Sequence, residues 1–268
     1  MSKKPVMHKA RKRFGQNFLH DHGIIRRIIR AISPHESDQL VEIGPGLGAL
    51  TEELLAEAGA LDAIELDRDL PPILRTKFFN YGDKFRIHET DAMKFDYAQL
   101  RTSDKRLRIV GNLPYNISTQ LIFHLLSHAE HVEDMHFMLQ KEVVDRMAAG
   151  PGENNYGRLG IMAQYYCKVE SLFVVPPGAF NPAPKVDSAI IRLTPYRELP
   201  YVAKEVSQFE TVVRTAFTMR RKTLRNNMKP LLSTDELEGL GIDPSLRPEK
   251  LAISDFVTIS NYLTDKKA

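Results

Sequence analysis

Apolar and polar positions along the chain fall into two alternating rhythms. The short runs "QLVEIG", "LDAIELD", "FRIHET", "LRIVGN" and "MHFMLQ" are dense enough in apolar residues for buried strands. The stretches "LGALTEELLAEA", "LPPILRTKF", "STQLIFHLLSHA" and "EVVDRMAAG" instead repeat apolar residues at helical spacing. Alternation of this kind predicts a parallel sheet covered by helices on both faces. In the helix that follows "GNLPYNI", Leu121, Ile122, Leu125, Leu126 and Ala129 share one face, with Ser118 or Thr119 placed to cap its start. Farther on, "VESLFVV" and "DSAIIRLTPY" flank the proline-rich "PPGAFNPAP" with no helix between them, which predicts an antiparallel pair closing the sheet edge. From about residue 199 the pattern is helical only, in short amphipathic pieces such as "KPLLSTDELEGLGIDP" and "SDFVTISNYL". A boundary near "PYRELP" therefore divides an α/β domain, residues 1–198, from a small all-helical domain, residues 199–268.

Composition changes this picture little. Apolar residues at 43% and charged residues at 26% are ordinary for a folded globular protein of 268 residues and argue against disorder, coiled coil or collagen. The longest apolar runs fall far short of the roughly 20 residues of a membrane span, and the basic N-terminus lacks a signal-peptide core, so a cytoplasmic location is expected. Cys167 stands alone, cannot form an intrachain disulfide, and reads as a small core residue. His124, His128 and His131 have a chelating spacing, with Glu130 and His136 near in sequence. The same spacing arises on an exposed polar face, and no metal is expected.

Charge distribution says more than the net charge of +3. Residues 1–30 hold nine Lys or Arg against one acid, Asp21, and residues 214–229 hold six against none. Two cationic clusters at opposite ends of the chain suit a polyanion, since phosphate draws Lys and Arg together; solvated helix faces are the plain alternative.

The chemistry lies at the ends of the strand-like runs. "EIGPGLGAL" places Gly44, Gly46 and Gly48 between a strand and a helix, where glycines let a ligand approach the backbone. The G-x-G-x-G spacing differs from the dinucleotide fingerprint, and Glu42 stands just before it. A pyrophosphate would be repelled by that carboxylate, whereas an ammonium or sulfonium would be attracted, which favours S-adenosylmethionine over NAD. No hydride-handling arrangement of His, or of Tyr with Lys, is visible. Glu65, with Asp67 as the fallback, is suited to accept from ribose hydroxyls, and Asp91 either accepts from an adenine amino group or caps a helix.

In "GNLPYNIS" the side-chain carbonyl of Asn112 and the backbone carbonyl of Leu113 can each accept an N–H of an exocyclic amine. Such pairing turns the nitrogen lone pair toward an incoming methyl group. Pro114 stiffens the turn and Tyr115 offers a face on which a base can stack. No strong general base is needed, because the alkylated nitrogen loses its proton to water.

Together "FGQNFL", "EIGPGLGALT", "ELD", "DAM", "GNLPYNIST", "FNPAPKVDS" and "AFTMRRKTLRN" resemble the ribosomal RNA adenine N6,N6-dimethyltransferase family, in order from about residue 13 to 230, and most closely its small-subunit (kasugamycin-sensitivity) branch. The resemblance implies a Rossmann-like class I methyltransferase that uses S-adenosylmethionine, releases S-adenosylhomocysteine, and dimethylates two adjacent adenosines near the 3′ end of small-subunit (16S) rRNA in an assembling 30S particle. It further implies that Gln16, Asn17 and Leu19 line the methionine end of the cofactor, that Gly44 and Gly46 pass beneath it, that Glu65 holds its ribose and Asp91 its adenine, and that Asn112 lies between cofactor and target. Phe180, by its residue type as readily a core side chain, becomes a second aromatic facing the base opposite Tyr115. Arg11, Lys12, Arg13, Arg220, Arg221, Lys222 and Arg225 would bind RNA phosphates, and a monomer is expected. The competing readings are the large-subunit resistance branch and an assembly checkpoint or transcription factor that binds nucleic acid and has shed catalysis.

Overall fold

A computed structural model describes residues 16–102, 104–219 and 221–267. In chain order the strands and helices are β1 (Phe18–Leu19), α1 (His22–Ile32), β2 (Gln39–Ile43), α2 (Ala49–Ala58), β3 (Leu61–Glu65), α3 (Leu70–Lys77), β4 (Phe85–Glu89), β5 (Leu107–Asn112), α4 (Ser118–Leu126), β6 (Val132–Gln140), α5 (Lys141–Ala148), α6 (Arg158–Tyr166), β7 (Cys167–Val175), β8 (Phe180–Asn181) and β9 (Ser188–Pro195). The helices α7 (Val206–Ala216), α8 (Leu224–Met228), α9 (Thr234–Gly239) and α10 (Ile253–Lys267) follow.

Seven strands form one sheet in the order β4-β3-β2-β5-β6-β9-β7. The strands from β4 to β6 pair in parallel, and β9 turns antiparallel against β6. The expected α/β class therefore holds, and the two helix-free strands do occupy the expected edge, with β7 outermost. Register sorts the side chains by face. Leu40, Leu61, Ala63, Val110, Met138 and Ile190 join one apolar cluster with Ile25, Ile28 and Ile32 of α1, Leu54 and Leu55 of α2, and Leu74 of α3. On the opposite face Val41, Ile109, Met135, Phe137 and Ile191 are also fully buried. Burial on both faces explains why these strands read as near-continuous apolar runs rather than alternating ones.

Helix α4 buries the expected Leu121, Ile122, Leu125 and Leu126, but the expected cap is corrected. The helix begins at Ser118 after Ile117, with no side-chain cap, and the Ser118 hydroxyl instead donates to the Tyr115 carbonyl at 3.3 Å. Cys167 is buried, donates to the Ala163 carbonyl, and has its thiol pushed up to about 12 by burial. No helix among the described residues is long and apolar enough to cross a membrane.

Contacts divide the chain into two units, one of residues 1–144 and 170–195, the other of residues 145–169 and 196–268. The second unit takes in residues 145–169 as well as the C-terminal helices. The reason is specific packing within that unit. The Tyr165 ring lies 4.6 Å from that of Phe209 on α7, its hydroxyl accepts the Ala203 N–H, and Gln164 holds the carbonyls of Met147 and Ala149.

Candidate active site

The strand order reverses between β2 and β5, and open α/β sheets bind ligands at the carboxyl ends of the strands flanking such a point. A cavity opens there, enclosing about 1220 Å³ of empty space with its solvent-open part included. The loops after β2, β3, β4 and β5 and residues 16–19 form its wall.

The floor begins with the glycine turn. Gly44, Gly46 and Gly48 all have left-handed φ, +70°, +59° and +80°. At Gly46 a Cβ would stand 3.1 Å from the Phe18 ring, and at Gly48 one would stand 2.7 Å from the Phe78 ring. Both positions thus disfavour side chains by conformation, and Gly48 excludes one by space as well. The turn delivers the N-terminus of α2 toward the cavity.

Two carboxylates stand behind this turn. Glu42 is 2% exposed and accepts the Thr51 hydroxyl at 2.6 Å; burial, then nearby Glu65, raise it to about 7 against the opposing Thr51 hydrogen bond. Glu65 ends β3, accepts the Asp67 N–H at 2.8 Å, and is raised mainly by burial. Asp67 points elsewhere, accepting the Gln16 amide at 2.9 Å and the Asp69 N–H at 3.3 Å, and it is absent from the cavity wall while Glu65 is part of it. Asp91 also lines the cavity, and its Oδ1 accepts the Met93 N–H at 2.9 Å. No helix begins directly after Asp91, so the expected helix cap is corrected: this bond closes a turn and uses one carboxylate oxygen.

Asn112 ends β5, and its Nδ2 donates to the Asn17 carbonyl at 3.0 Å. A carbonyl only accepts, so this bond decides which half of the amide faces Asn17 and leaves Oδ1 as the half available to a ligand. Leu113 follows, anchored by its N–H to the Met138 carbonyl at 3.3 Å. Tyr115 is half-buried at the wall, its hydroxyl 2.6 Å from that of Ser188, and burial raises its pKa. Gln16, Asn17, Leu19, Gly44, Gly46, Glu65, Asp91, Asn112, Leu113 and Tyr115 are thereby gathered around one cavity.

Phe180 is not gathered there. It is 3% exposed, packs in the apolar cluster, and is absent from the cavity wall. Its backbone pairs with that of Leu19, which does line the cavity, through the β1–β8 ladder. Arg221, Lys222 and Arg225 lie on the α7–α8 connection and α8, and all three are exposed. Arg11, Lys12, Arg13 and Arg220 lie outside the described residues. Among the described residues no group of His, Cys, Asp and Glu is placed to hold a metal, and the His124 and His128 rings pack together 5.0 Å apart.

Sequence reasoning missed Ser188, Thr51 and the Asn17 carbonyl as partners of site residues. Ser188 and Thr51 left a trace only as the last residues of "FNPAPKVDS" and "EIGPGLGALT".

Among the described residues, three carboxylates and no Lys, Arg or His line the cavity. This donor set fits an adenosine bearing a positive sulfonium and ammonium and opposes a dinucleotide pyrophosphate.

Residues 7–265 match the family model described as ribosomal RNA adenine dimethylase. The chain is 65% identical over 260 residues to the ribosomal RNA small subunit methyltransferase A of Hahella chejuensis, covering 97% of this chain and 95% of the relative. It is 60% identical to the protein of that name from Pseudomonas aeruginosa, with 96% of each covered. Among solved structures, a dimethyladenosine transferase from Plasmodium falciparum superposes with TM-score 0.80 at 29% identity, covering 93% of this chain and 98% of that one. The 23S rRNA methyltransferase ErmE shares the fold, with TM-score 0.72 at 24% identity over 92% of this chain and all of that one.

Proposed function

Because the chain belongs to the ribosomal RNA adenine dimethylase family, we propose that its cavity methylates N6 of two adjacent adenosines near the 3′ end of small-subunit rRNA, twice each, in an assembling 30S particle. The chain is an S-adenosylmethionine-dependent enzyme acting on rRNA. When bound, S-adenosylmethionine supplies an electrophilic methyl group and leaves as S-adenosylhomocysteine.

The residues divide the remaining work. Gln16, Asn17 and Leu19 wall the methionine end, Gly44 and Gly46 give close backbone approach, Glu65 accepts from the ribose hydroxyls, and the second oxygen of Asp91 accepts from the adenine amine. Asn112 Oδ1 and the Leu113 carbonyl each accept one N–H of the target amine, so its lone pair points at the methyl carbon. Tyr115 stacks on the base, which must leave its duplex to be reached; such stacking is worth roughly 1–3 kcal/mol. The methylated nitrogen is cationic and loses its proton to water, so no residue acts as a strong base. Arg221, Lys222 and Arg225 of the helical domain, with Arg11, Lys12, Arg13 and Arg220, contact phosphates and position the RNA without reading its sequence. The protein works as a cytoplasmic monomer.

The orientation of Asn112, held by the Asn17 carbonyl, carries this reading. The test is incubation with labelled S-adenosylmethionine and either unmethylated small subunits or protein-free large-subunit rRNA, followed by nucleoside mass spectrometry. Dimethyladenosine is expected in the small-subunit RNA alone, with turnover about 100-fold lower for Asn112→Ala, the scale of losing one preorganised electrostatic contact. Label in the large-subunit RNA overturns the target, and no label in either overturns the chemistry.

A further inference from the structure

We propose that Ser188 is a positioning residue for the target base: its hydroxyl, delivered by the first residue of β9, locks the Tyr115 ring in the orientation on which the base stacks. The inference rests on the methyl-transfer reading above. The two hydroxyl oxygens are 2.6 Å apart and join residues 73 positions apart in the chain. Ser188 is fully buried, whereas Tyr115 is only half-buried and faces the cavity.

The two partners differ in freedom. Ser188 lies opposite Gln140 in the β6–β9 ladder, and the carbonyl of preceding Asp187 accepts the Lys141 N–H at 2.9 Å. Its backbone cannot move without breaking the sheet. Tyr115 sits instead in the turn between β5 and α4, where Ile117 N–H bonds the Pro114 carbonyl at 3.2 Å and Ser118 bonds the Tyr115 carbonyl. These bonds set the turn's backbone and leave the side-chain torsions to other contacts. Ser188 holds the far end of the ring, which the turn does not reach. A buried hydroxyl among the apolar residues of β9 is costly unless it is bonded, so the serine needs the phenol as much as the phenol needs the serine. A ring already held pays less ordering entropy when the base arrives, and a reacting amine displaced by about 1 Å can lose as much as 10²-fold in rate.

The test uses the full-length protein with Ser188→Ala, Ser188→Thr, Tyr115→Phe and the Ser188→Ala/Tyr115→Phe pair. Each is measured for kcat and KM on unmethylated small subunits, and for fluorescence quenching of 2-aminopurine placed at the target position of a hairpin RNA. Loss of one hydrogen bond's orientation lowers kcat about 5- to 10-fold in Ser188→Ala, with weaker quenching and unchanged KM for S-adenosylmethionine. Ser188→Thr keeps the hydroxyl and restores both readouts. The double variant is no worse than either single one, because both remove the same bond. Multiplying effects, or unchanged kcat and quenching in Ser188→Ala, overturn the proposal. If Ser188→Ala does not fold, Tyr115→Phe alone decides: it keeps the ring and must show the same loss of kcat and quenching. A wild-type protein that quenches the probe but methylates nothing sinks the methyl-transfer reading alone, and an active wild type with an indifferent Ser188→Ala sinks the positioning role alone.

Discussion

Asn112 shows how much one residue's chemistry depends on a distant neighbour. Its donor half is committed to the Asn17 carbonyl at 3.0 Å, so Asn112→Asp puts an oxygen against an oxygen even though it keeps an acceptor for the substrate. Its kcat/KM is expected to fall at least as far as that of Asn112→Ala, which steady-state kinetics on the same RNA will check. Glu42 carries a second prediction. Its folded pKa is raised from 4.5 to about 7, so between these values the folded protein holds a proton that the unfolded chain has released. Stability therefore falls as pH rises through that window, by about 3 kcal/mol in full for a side chain this buried. Glu42→Gln, which cannot ionise, should gain most of that at pH 8.5 relative to the parent and little at pH 4.5, read by urea unfolding of the cofactor-free protein. A parent and variant that run parallel with pH would refute the assignment. The acidic character of Glu42 before the glycines was legible in the sequence. Its proton was not, because burial between β2 and α2 supplies it.

At the scale of the element, the glycine turn is readable from spacing and its intolerance is not. Gly48 has φ +80° and backs onto Phe78, whose ring atom would meet a Cβ at 2.7 Å. Gly48→Ala should cost about 1–3 kcal/mol from strain and overlap together, lower the melting temperature, and weaken S-adenosylmethionine binding by calorimetry. Adding Phe78→Leu relieves the overlap but not the φ, so recovery is partial; full recovery would show that conformation is unimportant there. Helix α4 teaches the converse. Its buried face could be read from the apolar spacing, but its start could not, since the Ser118 hydroxyl bonds back to Tyr115 and ties the helix to the turn that displays the ring. The β1–β8 pair is two residues long on each side, too short for any periodic signal, yet it joins Leu19 of the cavity wall to Phe180 of the apolar cluster.

At the scale of the whole molecule, charge governs affinity for RNA. Phosphate contacts release counterions, so log affinity falls linearly with log salt. Removing Arg221 and Lys222 together should flatten that slope by about 1–2 and weaken binding to all sequences alike, which titrations at several salt concentrations will measure. A sequence-selective loss would instead make them readers of bases. The sequence by itself determined the alternating elements, the parallel sheet, the acidic glycine turn and the Asn-Leu-Pro-Tyr turn, because periodicity and turn chemistry belong to consecutive residues. Tertiary structure alone decided which residues meet. Asn17 reaches Asn112 across 95 positions, Gln16 reaches Asp67 across 51, and Ser188 reaches Tyr115 across 73. It likewise packed residues 145–169 with the C-terminal helices and buried Phe180. Burial and hydrogen-bond partnership are properties of the packed chain, and no local pattern of residue types encodes which of several similar side chains will be enclosed.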